Sequence, residues 1–289
     1  MRVALVSLVV LSALGLAGAV GGAQAAPAER WAAIAAPSPG QTRVIGSAAA
    51  GCIAGAVSLG LEGAGYQVLR PQRNRVWAHP DTVAFIQALG ARARSDGLGT
   101  ILVGDLSQPR GGPMSFGHGS HQTGLDADIW FRLPAKPLSE AELADPRPIS
   151  MVKGRKVDSR TWTQAHMNLL RLAASAPEID RIFVNPAIKA EACRKAKGDR
   201  AWLAKLRPWW GHDEHFHVRL ACPAGQSECT PQAAVPDGDG CGAELTSWLR
   251  RNTILPKETT DKPNRRRPVL PESCQAVLDQ PAKLPAAFR

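Results

Sequence analysis

Asp126-Ala127-Asp128-Ile129 and His215-Phe216-His217-Val218 are the stretches on which the fold turns. In each, a polar residue able to bind a metal alternates with an apolar one, the period of two that belongs to a β-strand. Asp126 and Asp128 share one face, with Ile129 opposite. His215 and His217 share one face, with Phe216 and Val218 opposite. Two such strands side by side present imidazole and carboxylate groups to one point and bury their apolar faces on the other side. His121 sits in the turn before the Asp strand and can reach back to it.

The wider windows are Gly117-His118-Gly119-Ser120-His121-Gln122-Thr123-Gly124-Leu125-Asp126-Ala127-Asp128 and Trp210-Gly211-His212-Asp213-Glu214-His215-Phe216-His217-Val218. They hold five of the seven histidines. Two histidines plus one carboxylate form a recurrent catalytic zinc set that leaves a fourth position for water. An isolated H-x-H is often a surface pair, and an isolated H-x6-D says less still; their joint presence carries the metal reading. His79 and His166 stand alone and are expected to be structural or exposed. No H-E-x-x-H occurs, which excludes the common helical zinc-protease arrangement.

Working outward, Pro80 to Ser95 reads as a helix with Val83, Phe85, Ile86 and Leu89 on one side, ended by Gly97 and Gly99. Thr100 to Val103 is a short strand, and Asp105 to Gly119 is a loop dense in Gly, Pro and Ser. Asp126 to Leu133 is a strand, Trp162 to Ala174 an amphipathic helix, and Arg181 to Val184 a strand. Helical stretches follow at 187–196 and 199–206, then the strand from His215 to Ala221 and a helix from Cys241 to Leu249. Residues 134–158 carry no strong pattern, and the last 35 residues read as extended. Strands interspersed with helices predict one α+β domain with a central, mostly antiparallel sheet, flanking helices and loops stapled by disulfides.

The first residues set the compartment. Arg2, the apolar run from Val3 to about Val20, and Ala23-Gln24-Ala25 form an export signal with an A-x-A cleavage site. The alternative is an uncleaved anchor, since the run approaches the roughly 20 residues of a spanning helix. The expected organisation is a cleaved signal (1–25), a loose Ala/Pro-rich leader (26–49), one folded domain carrying the two histidine windows (50–275) and an extended tail (276–289). Cys52, Cys193, Cys222, Cys229, Cys241 and Cys274 all lie beyond the signal, an even count that reads as disulfides in an exported chain. Only Cys222 and Cys229 suggest a pair by spacing. The formal charge of +10 predicts attraction to polyanions. The candidates are nucleic acid, acidic lipid and a carboxylate-rich cell wall, and export removes most of the case for nucleic acid. Arg265-Arg266-Arg267, set among prolines, reads as a solvated basic loop.

S-H-Q-T-G-L-D-A-D together with W-W-G-H-x-x-H-x-H-V-R resembles the penicillin-insensitive murein endopeptidases, within the wider group of lysostaphin-type, D-Ala-D-Ala-cleaving and hedgehog-like zinc domains. The similarity extends through Arg73-Asn74-Arg75 with His79-Pro80, Arg181 to Ile188, and Gly238 to Leu249, covering most of residues 50–275. The resemblance implies His121, Asp128 and His217 as zinc ligands, with His118 as a further or alternative ligand. It implies His215 as the catalytic histidine and His212 as a polar neighbour of substrate or metal. It also implies the pairings Cys52–Cys274, Cys193–Cys241 and Cys222–Cys229. One zinc per chain is expected: some relatives hold a second, but Met151-Val152-Lys153-Gly154-Arg155-Lys156 places lysines where its ligands would fall.

Two groups add to this reading from strand phase. Asp126 would orient a ligand from behind. Glu214, three residues before His217, resembles the Glu-x-x-His general base of the D-Ala-D-Ala dipeptidases. Phase opposes it and favours His215, unless the strand begins late and leaves Glu214 in a turn.

The activity so implied is hydrolysis of amide cross-links between peptidoglycan stem peptides, of the D-alanyl–meso-diaminopimelyl type, in a periplasm and insensitive to β-lactams. Arg110 and Arg219 are candidates to bind a substrate carboxylate, and Trp209 and Trp210 to pack against substrate or core. A D,D-carboxypeptidase and a non-catalytic wall-binding module share the same zinc frame. No stable membrane insertion after signal cleavage is expected, and the sequence is silent on oligomeric state.

Overall fold

The structure, a computed structural model, describes residues 28–251 and 269–281. The signal segment and Arg265–Arg267 lie outside them. Its centre is a seven-stranded sheet in the order Leu206–Pro208, Ile179–Val184, His215–Leu220, Asp126–Trp130, Ile101–Val103, Tyr66–Val68, Glu62–Gly63. Four of the six neighbouring pairs are antiparallel; Ile179–Val184 with Leu206–Pro208, and Tyr66–Val68 with Ile101–Val103, run parallel. The α+β fold with a mostly antiparallel sheet is therefore as the alternation predicts.

One face of this sheet is the core. Ala127, Ile129, Phe216 and Val218 are wholly buried. They join a single apolar cluster with Phe85, Ile86 and Leu89 of the Pro80–Ser95 helix and Leu169 and Leu170 of the Gln164–Ala174 helix. Burying each such side chain contributes roughly 1.5–3 kcal/mol, so the apolar half of each alternating strand fixes which way the polar half must face. The two lone histidines serve these helices. His79 Nδ1 accepts the amide of Asp81 at the first helix's start, and His166 Nδ1 accepts that of Thr163 at the second's.

Some segments depart from the sequence reading. Within 26–49 the chain forms a helix at Ala28–Ala32, and Arg43–Ser47 pairs with Ala50–Ala54 as a hairpin. Trp31, only 1% exposed, anchors that helix. Within the region read as an extended tail, Ser273–Asp279 is a helix. Both are held by a second, smaller cluster of Trp31, Ile45, Cys52, Ala54, Cys274, Val277 and Leu278, too scattered in sequence to show a period. Residues 199–206 form a 3-10 turn, Ala201–Lys205, that runs directly into the edge strand Leu206–Pro208. Residues 134–158 hold a short helix, Glu140–Ala144, and a small hairpin of Val152–Lys153 with Lys156–Val157.

The cysteines pair as Cys52–Cys274, Cys193–Cys241 and Cys222–Cys229, with Cα separations of 5.7, 5.8 and 5.8 Å. Arg110 reinforces the first: its buried guanidinium donates to the carbonyls of Val277 (3.0 Å), Leu278 (2.7 Å) and Gln280 (2.6 Å), which a helix end leaves without partners. Arg110 is thus a structural cap and is not available to a substrate carboxylate. No helix among the described residues is long and apolar enough to cross a membrane.

Candidate metal centre

The opposite face of the sheet gathers the polar residues. Strand register sets His217 across from Asp128 and Arg219 across from Asp126, while Phe183 lies beside His217 on the next strand. His121 enters from the preceding turn with φ of +65°, a left-handed backbone that costs a non-glycine residue on the order of 1–3 kcal/mol. The turn is held from several sides. The His121 amide donates to Asp126 Oδ2 at 3.0 Å, the Gln122 amide to the Ala48 carbonyl, and the Gly51 amide to Gln122 Oε1. Gly111 completes the clamp: at its φ of +64° an added Cβ would sit 1.9 Å from the Gln122 carbonyl oxygen.

Asp128 Oδ1 is the point of convergence. His121 Nε2 lies 3.4 Å from it, His217 Nδ1 3.5 Å and His215 Nε2 3.6 Å. His118 Nδ1 approaches the other carboxylate oxygen at 3.7 Å. One ligand atom each from His118, His121 and Asp128 falls within 4.8 Å of the others, and the same holds for His121, Asp126 and His217.

Behind these side chains stand two buried carboxylates. Asp126 accepts both Arg219 Nε (2.7 Å) and Nη2 (2.8 Å), and His217 Nε2 comes within 3.2 Å of it. Asp105 accepts Arg75 Nη1 (2.7 Å) and Arg73 Nη1 (3.1 Å), and His118 Nε2 lies 2.9 Å away. Asp105 thus holds His118 Nε2 and leaves its Nδ1 facing Asp128, and Asp126 stands beside His217 Nε2 while its Nδ1 faces Asp128. This is the orienting role that carboxylates play behind metal-binding histidines.

Four buried atoms of the cluster have no hydrogen-bond partner: His121 Nδ1 and Nε2, Asp128 Oδ1 and His217 Nε2. The approach of His217 Nε2 to Asp126 is close but not aligned as a hydrogen bond. Leaving such groups unsatisfied costs about 1–3 kcal/mol each, so the donor set fits a cation. Nitrogen and oxygen donors of this kind suit zinc.

The electrostatics agree. Burial opposes charge on Asp126, but Arg219 and His217 outweigh it and hold the carboxyl well below its usual range. Burial likewise opposes charge on Asp128, and His215, His121 and His118 outweigh it. Burial pushes His217 down to about 4, so its imidazole is neutral and keeps a free lone pair at neutral pH. Burial also works against a charged His121, yet Asp128 and Asp126 prevail and raise it, which marks a place where positive charge is favoured.

His118, His121, Asp128, His215 and His217 are therefore together. His212 forms the rim, its ring 5.1 Å from His215 and its Nδ1 2.7 Å from the Trp210 carbonyl. Burial, with His215 and His217 nearby, pushes His212 down to about 3. Glu214 lies in the turn just before the strand, which begins at His215, and its carbonyl accepts the Phe131 amide. Among the described residues no ion pair or side-chain hydrogen bond joins its carboxyl to the cluster. Arg219 is committed to Asp126. Asp105, Arg75 and Phe183 are site residues that the sequence reading missed. Asp105 stands 13 positions before His118, in an irregular loop where no period marks it.

A sheet face holding buried imidazoles and carboxylates around unsatisfied atoms is of the class able to hold a cation. Comparison with known proteins gives the family. The profile described as "Penicillin-insensitive murein endopeptidase" matches residues 44–279. A protein of that name from Yersinia enterocolitica serotype O:8 is 48% identical over 252 residues, covering 86% of this chain and 90% of the relative. Another from Salmonella heidelberg is 47% identical over 253 residues, covering 86% and 91%. The chain belongs to the penicillin-insensitive murein endopeptidase family.

Proposed function

We propose that this protein is a periplasmic, zinc-dependent endopeptidase that hydrolyses the D-alanyl–meso-diaminopimelyl-type cross-links of peptidoglycan. The observation that carries the reading is the approach of His121, His217 and His215 to one oxygen of Asp128 within the family's own motifs. His121 Nε2, His217 Nδ1 and Asp128 would hold one zinc, with His118 Nδ1 as a further or alternative ligand. Zinc supplies Lewis-acid polarisation of the scissile carbonyl and lowers the pKa of water toward about 7. His215, half-buried with Nε2 3.6 Å from Asp128, would take the proton from the attacking water and deliver it to the leaving amine. His212, neutral at the rim, lines the approach of the substrate. Lys153 and Lys156, exposed on the small hairpin, oppose a second cation there.

The signal segment supports export, and the basic charge suits a polymer bearing free carboxylates. No serine nucleophile takes part, so β-lactams should leave the activity unchanged; stoichiometric acylation by penicillin would refute the scheme.

The test is incubation of the mature, oxidised protein with purified cross-linked muropeptide dimers, read by mass spectrometry. Conversion to monomers that stops with chelator and returns with zinc is the expected result. Trimming only of terminal D-alanine would instead make it a carboxypeptidase. Sacculus binding without cleavage would make it a wall-binding module.

A further inference from the structure

The sheet face that carries the His/Asp cluster continues for two more strands. Phe183 lies beside His217, Arg207 beside Phe183, and Trp209 follows two residues after Arg207, just past the end of that strand. Ring centroids trace this path: His217 to Phe183 is 5.3 Å and Phe183 to Trp209 is 5.7 Å. Trp209 is 45% exposed although aromatic rings surround it. Trp210 and Trp248 hold it, with centroids 5.1 and 5.7 Å away, and contact each other at 4.6 Å. The indole is therefore fixed and open, beside the site, directly after the edge strand Leu206–Pro208, with the Trp209 amide donating to the Val184 carbonyl.

We propose that Trp209 is a glycan-binding platform, on which a sugar ring of the peptidoglycan strand stacks while the attached stem peptide reaches the His/Asp cluster. This rests on the murein endopeptidase reading above. The occupant follows from the polymer's chemistry. Stem peptides are built from alanine, glutamate and diaminopimelate, none of which has a broad apolar side chain to cover an indole. Pyranose rings do offer such a surface: a face of C–H groups whose weak positive charge complements the negative face of the π system. Exposed Arg251, over Trp248 at 4.8 Å, adds a donor for sugar hydroxyls at the platform's border.

The test uses two forms of the same cross-linked dimer, one with its disaccharides and one from which an amidase has removed them. The wild-type protein should show the lower KM on the disaccharide-bearing form. Trp209→Ala should raise that KM roughly three- to tenfold, the effect of losing one stacked aromatic contact, with little change in kcat. It should leave KM on the peptide-only dimer unchanged, and Trp209→Phe should restore part of the loss. Leu61→Ala, which removes another exposed apolar side chain next to the far edge strand, should change neither value. Equal wild-type KM values for the two forms would overturn the proposal, as would a Trp209→Ala effect of equal size on both.

A binding measurement on the wild-type protein separates the platform from catalysis. Tryptophan emission should be perturbed by the disaccharide-bearing dimer and not by the peptide-only dimer. No perturbation by either would overturn the platform. Selective perturbation without any cleavage would support the platform while sinking the endopeptidase reading.

Discussion

Asp105 shows how much of the centre depends on residues that no motif marks. It anchors His118 Nε2 and is itself held by Arg75, 5% exposed, so one carboxylate fixes both a candidate ligand and a buried charge. Asp105→Asn should lower zinc affinity by roughly 10- to 100-fold in a chelator competition. Leaving Arg75 without its partner should also cost stability, about 3–5 kcal/mol for a broken buried pair. Adding Arg75→Met should recover stability without recovering affinity, and an unchanged zinc affinity in Asp105→Asn would exclude His118 from the metal set.

His212 carries a second prediction at this scale. Its folded pKa, near 3, lies below the roughly 6.5 of a free imidazole, so the unfolded chain protonates first as pH falls. Its contribution to stability is whole above about pH 6.5 and is lost as pH drops toward 3. In metal-stripped protein, His212→Gln should flatten the fall of Tm between pH 6.5 and 4. A slope equal to wild type would remove His212 from the acid response.

Among the elements, the disulfide Cys52–Cys274 ties a strand near the start to a helix near the end, 222 residues apart. Replacing both cysteines by alanine should destabilise the protein by about 2–5 kcal/mol, read as a lower Tm, while an unchanged Tm would show that the small cluster and Arg110 suffice without the link. Sequence legibility divides at this scale too. Asp126–Trp130 and His215–Leu220 were readable because one face is buried and strict alternation follows. The Pro80–Ser95 helix was readable because a proline opens it and glycines close it. The hairpin at 43–54 and the helix at 273–279 were not, because each buries only a few side chains against the other and neither carries a period of its own. Glu214 was undecided in the sequence because the strand phase that sets it against His215 holds only inside the strand, and Glu214 lies in the turn before it.

For the molecule as a whole, the cluster's unsatisfied atoms make metal binding and folding one equilibrium. Zinc at 100 times its Kd should add about 2.7 kcal/mol, a rise in Tm of roughly 5–10 °C for a domain of this size. Thermal scans with chelator and with restored zinc check this, and coincident curves would refute a structural contribution from the metal. Asp126 with Asp128 and His215 with His217 were legible because alternation puts each pair on one face, and His121 because it sits in the turn before the Asp strand; His118 and His212 were legible only through the family resemblance. The carboxylate–arginine pairs behind them were legible only in part: phase suggested Asp126, while Asp105 and Arg75 come together through loops.

The bonds from Arg110 to the carbonyls of Val277, Leu278 and Gln280 bear on the order in which the protein can be completed. A polypeptide is made from its first residue onward, so the helix that Arg110 caps arrives well over a hundred residues after Arg110 itself. Arg110 belongs to the same loop as Gly111 and Gly112, whose backbone meets Gln122 directly behind His121. The chain must therefore deliver its closing segment before the turn that aims His121 gains its full support, and a product cut short ahead of Cys274 would lack that support.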